Sequence, residues 1–161
     1  IALSKELKQQ LFLFRVKFAK DPSAGPEFLK LARASITSGD GFIQEEALRL
    51  FAELPISQDN LAAITDGLQN SPDPTLMKLA LPELQRYLGT PMEAQVHDFL
   101  SAVMRSGPHF SAQTLSENIQ PFLTPQSLAV YQQALAGMGA TKTAGNLNAA
   151  LREYQRQQTG A

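Results

Sequence analysis

The chain has 161 residues, 43% of them hydrophobic and 18% charged, with a net charge of −1 and no cysteine. A chain of this length and hydrophobicity can bury a core, which excludes wholesale disorder; the missing cysteines remove disulfides, thiolate metal sites and cysteine nucleophiles together. No apolar run approaches the roughly 20 residues that a bilayer-spanning helix needs, and a start at Ile1 without a signal-like segment fits a mature product or an excised piece.

Helical spacing predicts a first helix over 4–19, where Leu3, Leu7, Leu11, Phe14 and Phe18 share one face. Within it Phe12, Phe14, Val16 and Phe18 alternate with a strand's period of two, and the longer helical stripe decides for helix. Its apolar surface exceeds what one neighbour can cover, so contact with a second copy or a preceding domain is expected. Six of the nine phenylalanines (12, 14, 18, 28, 42, 51) fall in the first 51 residues and are expected in the core. Further helices are predicted over 26–37, 42–54, 58–69, 74–88, 91–105, 112–122, 125–138 and 143–157. Starts are marked by cap-plus-proline pairs at Asp73-Pro74, Thr90-Pro91 and Thr124-Pro125, with Glu93 completing a capping box. Stops lie at Leu54-Pro55, Leu88-Gly89, Ser106-Gly107-Pro108 and Met138-Gly139. Pro82, inside the helix 74–88, removes one backbone hydrogen bond and is expected to kink it. Connections of two to six residues suit antiparallel neighbours, giving about nine helices in a single domain.

Residues 40–98 hold two copies of one helix–turn–helix unit. Asp40, Ile43, Ala47 and Phe51 return as Asp73, Leu76, Ala80 and Leu84, and Ala62, Ile64, Asp66 and Leu68 return as Ala94, Val96, Asp98 and Leu100. A constant shift across paired helices is the mark of stacked repeats, each covering its neighbour's apolar face. The first helix of each copy resembles that of the HEAT family of α-solenoids, most closely at Asp73, Pro74, Leu76, Ala80 and Leu84. The family's arginine is replaced by Gln44 and Met77, so its Asp–Arg ladder is missing. The resemblance covers residues 40–107 and implies an all-α, right-handed stack of roughly four helix pairs, with flanking helices as degenerate repeats or caps. A second, weaker resemblance lies in residues 108–158. Phe110, the Phe122-Leu123-Thr124 turn and Leu147-x-x-Ala-Leu151 are similar to the end of the C-terminal helical domain of zinc aminopeptidases. No His-Glu-x-x-His is present, so that likeness implies at most a non-catalytic part that shapes substrate access.

No catalytic constellation is legible. His97 and His109 are the two histidines. His97 beside Asp98 could hold a metal or carry a proton, but Val96, Leu100 and Val103 define the apolar side and place it on the polar one. His109 follows Gly107-Pro108 in a turn. Glu45 and Glu46 point about 100° apart on a helix, and Gly137, Gly139 and Gly145 follow no strand and read as an interhelix turn. The expectation is a non-enzyme without cofactor or metal.

Between 40 and 98 ten acids face three bases, whereas residues 1–33 carry seven bases and three acids. A duplex-binding solenoid offers a continuous basic stripe, so nucleic acid is disfavoured. The expected function is protein–protein interaction or scaffolding through a concave surface lined by second helices. That surface would bring Thr65, Asp66, Gln69, His97, Asp98, Ser101 and Arg105 nearest a partner carrying a basic segment; the alternative is that the acids only keep the array soluble.

Overall fold

A computed structural model describes residues 5–6, 8–13 and 25–160. All regular structure among them is helical, as the periodicity predicts, and none of these helices is long and apolar enough to cross a membrane. Residues 5–6 and 8–13 are helical, with Leu11 of the helical stripe buried and Phe12 and Leu13, which lie off it, exposed; positions 14–18 of the strand-like alternation lie outside the described residues. The chain divides into two compact units, Ile1–Leu68 and Gln69–Ala161.

In the first unit, α1 (Gly25–Ile36) packs against both α2 (Gly41–Phe51) and α3 (Gln58–Leu68). Asp40 starts α2 as a helix cap: its carboxylate accepts from the backbone N–H of Phe42 at 2.9 Å and of Ile43 at 3.2 Å. This satisfies amides that the first turn leaves without intrahelical partners. With Ile43 turned inward, Phe42 is carried about 100° round the helix and lies 74% exposed, which corrects its expected place in the core. Lys8 Nζ stands 5.9 Å from the centre of its ring. Phe12 is likewise exposed, while Phe51 is buried as expected.

Gln44 is buried and donates from Nε2 to the carbonyls of Ile36 at 2.9 Å and Gly67 at 3.0 Å. One amide thus joins the last turns of α1 and α3. The backbones meet so closely there that a Cβ on Gly67 would collide with the Ile36 carbonyl. Only glycine fits this approach.

The second unit runs α4 (Pro74–Gln85), α5 (Glu93–Ser106), α6 (His109–Glu117), a 3-10 turn (Gln120–Phe122), α7 (Leu128–Ala136) and α8 (Lys142–Gln158). Alternate helices pack: α4 on α6, α6 on α8, and α5 on α7. The successive pairs α5–α6 and α7–α8 also touch. Asp73 caps α4 as Asp40 caps α2, accepting from Thr75 N at 2.9 Å and Leu76 N at 3.3 Å. Ala47 and Ala80, the small residues of the two copies, are both buried.

Several ends differ from expectation. Helix α2 stops at Phe51 and α4 at Gln85, each giving way to turns. The predicted helix 112–122 begins earlier, at His109, and breaks after Glu117; Pro121 lacks an N–H, and the chain continues through a tighter bond from Phe122 N to the Ile119 carbonyl at 2.9 Å. Thr124 and Ser127 do form a reciprocal cap, Thr124 N to Ser127 Oγ at 2.8 Å and Ser127 N to Thr124 Oγ1 at 3.0 Å, but α7 begins only after it.

Gly67→Ala is expected to push α1 and α3 apart and cost about 1–3 kcal/mol by overpacking. Urea unfolding followed by circular dichroism measures it, and a variant as stable as the parent would show that the helices do not approach as described.

Candidate functional site

The seven residues expected nearest a partner divide between the units. Thr65 and Asp66 lie on α3 in the first; Gln69, His97, Asp98, Ser101 and Arg105 lie in the second, the last four on α5. Asp66, Gln69, Asp98 and Arg105 are exposed. Thr65 is half-buried and spends its hydroxyl on the carbonyls of Leu61 and Ala62, at 3.1 and 3.2 Å.

His97 and Ser101 are buried, against the expectation that His97 lies on a solvated face. The cause is that α5 packs against two helices, α6 and α7, so its buried arc is wider than the stripe Val96, Leu100, Val103. Residues 97, 101 and 104 form the added edge of that arc. The legible signal was the pair Glu93 and His97, four apart on one helical face, with Met104 and Leu100 continuing the row. Ser101 turns its hydroxyl to the Asp98 carbonyl at 3.1 Å.

His97 sits in a chain of hydrogen bonds. Its Nε2 lies 2.9 Å from Glu93 Oε2, its Nδ1 lies 2.8 Å from the Tyr131 hydroxyl, and the other Glu93 oxygen accepts from Gly89 N at 2.6 Å. A carboxylate only accepts, which places the proton on Nε2. Nδ1 then accepts from the phenol. The assignment follows from the partners, and in it each donor finds an acceptor.

Tyr131 is wholly buried and meets the imidazole edge-on, ring centres 5.4 Å apart. Burial, followed by the charges of Glu93 and Asp98, pushes the phenol well above its ordinary range, so it remains a donor. The Gly89 N–H, and after it His97, hold the Glu93 carboxyl below the usual carboxylate range. With both ring nitrogens engaged and the phenol buried, this set of hydrogen bonds fastens α7 to the start of α5.

The acidic character of residues 40–98 is largely engaged in local structure. Asp40 and Asp73 cap helices. Glu45 and Glu46 pair with Arg49 at 2.7 and 2.8 Å, and Asp59 lies 3.6 Å from Arg33. Glu83 pairs with Arg86 at 2.7 Å; burial nonetheless holds its carboxyl above the usual range, the arginine opposing. Glu93 is tied to His97, and Glu53 also has a partner. Asp66 and Asp98 remain, exposed and with no hydrogen bond or ion pair to another side chain among the described residues. They are the two acids related by the repeat shift of the second helices.

Comparison of the sequence with known protein families, with curated proteins and with solved structures finds no match for the chain.

Tyr131→Phe would leave Nδ1 of a buried histidine without its donor, and is expected to cost about 1–3 kcal/mol. Chemical denaturation measures it, and a cost near zero would mean that the hydroxyl does not hold the ring. Glu93 gives a pH-dependent check. A carboxylate whose pKa is depressed by folding stabilises above its unfolded value of about 4.3, and the contribution disappears as pH falls through the folded value. Thermal melts from about pH 5 to pH 3 should therefore fall less steeply for Glu93→Gln than for the parent; equal slopes would contradict the assignment.

Proposed function

We propose that the chain is a protein-interaction module of HEAT-like helix pairs, and that each of its two units offers one exposed carboxylate, Asp66 on α3 in the first and Asp98 on α5 in the second, to basic groups of a partner. The observation that carries the reading is the distribution of engaged and unengaged acids. Where the other acids of residues 40–98 cap helices or pair with neighbours, Asp66 and Asp98 are left exposed and unpaired. They stand at equivalent positions of the two copies. The alternate packing of α4, α6 and α8, and of α5 and α7, is the contact pattern expected of stacked repeats and supports the same reading.

Charges placed this way act mainly on encounter and selectivity, because exposed pairs contribute little to stability and are screened beyond about 8 Å at physiological ionic strength. Capture of partners from the native organism should recover a protein that wild-type chain retains at low salt. Its association should slow as salt rises and weaken with the paired substitutions Asp66→Asn and Asp98→Asn, while the melting temperature stays within about 2 °C. A partner indifferent to both the substitutions and salt would overturn the proposal.

A further inference from the structure

At the C-terminal end of α5 a polar cleft of about 210 Å³ lies between that helix, the start of α6 and the turn leading into α8. None of the ten residues lining it is acidic. Arg105 and His109 line it from α5 and α6, and the Arg105 guanidinium has no hydrogen bond or ion pair to any described residue. Thr141 and Thr143 line it from the other side. Thr141 caps α8, its Oγ1 accepting from Ala144 N at 3.1 Å, which leaves the first-turn amides of Lys142 and Thr143 without acceptors.

Thr143 supplies an independent pointer. It is only 4% exposed, it forms part of the cleft wall, and its hydroxyl has no hydrogen-bond partner among the described residues. The hydroxyl is not sealed from solvent, since among the described residues Arg33 Nε is the one buried side-chain polar atom without a partner; it is open to whatever the cleft holds. The surrounding groups specify its sign. A guanidinium offers a fork of N–H donors, and the start of a 17-residue helix offers free amides and the positive end of its dipole.

We propose that this cleft binds a phosphoryl group, received by Arg105, the Thr143 hydroxyl and the free amides at the start of α8. Donors of three kinds, from two helices, suit the several oxygens of a tetrahedral anion better than the two of a carboxylate. The site is independent of the partner surface proposed above, since neither Asp66 nor Asp98 belongs to it.

The test is a ¹H–¹⁵N NMR titration of the whole chain with inorganic phosphate, against chloride at matched ionic strength and against acetate. Saturable shifts are expected at the amides of Lys142, Thr143 and Ala144, larger and at lower concentration for phosphate than for acetate. Arg105→Gln, a change on an exposed side chain, and Thr143→Val, nearly isosteric, should each weaken binding by about tenfold, the usual consequence of losing a hydrogen bond to a charged group. A parallel arm uses N-acetyl-phosphoserine amide. Binding of the ester at least as tight as that of free phosphate assigns a phosphomonoester as the natural group, and a preference for free phosphate assigns the inorganic ion. No saturable shift with either, a preference for acetate, or identical titrations in both variants would overturn the site.

Discussion

Most helices among the described residues are too short to stand by themselves. The α-helices between residues 25 and 158 run from 9 to 17 residues, and isolated helices shorter than about 12–15 residues are marginal in water because nucleation fixes several dihedrals for one hydrogen bond. Each such helix therefore exists by virtue of the neighbours that cover its apolar face. In the first unit α1 does this for α2 and α3 together. In the second, alternate helices cover one another, and the completely buried Leu61, Ile64, Leu100, Phe122, Tyr131 and Leu147 are the residues through which the two units hold their helices.

Close packing of short helices brings their ends together, and ends carry unpaired backbone groups. The polar residues that the chain buries serve this need. Gln44 answers the last carbonyls of α1 and α3 with one amide. Ser111 reaches the Ser71 carbonyl at 2.6 Å and fixes α6 to the segment before α4. Ser127 closes the turn before α7 on the Phe122 carbonyl at 2.8 Å. The Glu93–His97–Tyr131 chain does the same between helix bodies. Removal of one member of such a set costs more than the bond is worth, because the partner stays buried and unsatisfied.

Much of this was legible in the residues themselves. Asp73-Pro74 announces a helix start by chemistry that needs no tertiary context, and the stripes Leu61, Ile64, Leu68 and Leu115, Ile119, Phe122 are buried where their periodicity puts them. Asp40 and Asp73, which the repeat shift relates, both cap helices through the same pair of backbone amides. What periodicity could not supply was the number of neighbours each helix has. A helix with two neighbours buries a wider arc, which is why His97 and Ser101 lie inside although they flank an apolar stripe. Phe42 errs the other way, since hydrophobicity does not tell which side of a capped first turn faces inward. The cleft beside Arg105 was hidden for a third reason. Its walls come from residues 104–112 and 137–143, which only tertiary packing unites.

Mutual cover as the source of helical stability has a direct consequence for opening. Native-state hydrogen exchange in increasing denaturant, followed amide by amide, reads it. If α1, α2 and α3 persist only on one another, their slowest amides should converge on a single opening free energy, and those of α4 to α8 should likewise converge within the second unit. A helix in either unit that keeps its protection after the others have lost theirs, or α1 opening alone while α2 and α3 stay protected, would contradict the account.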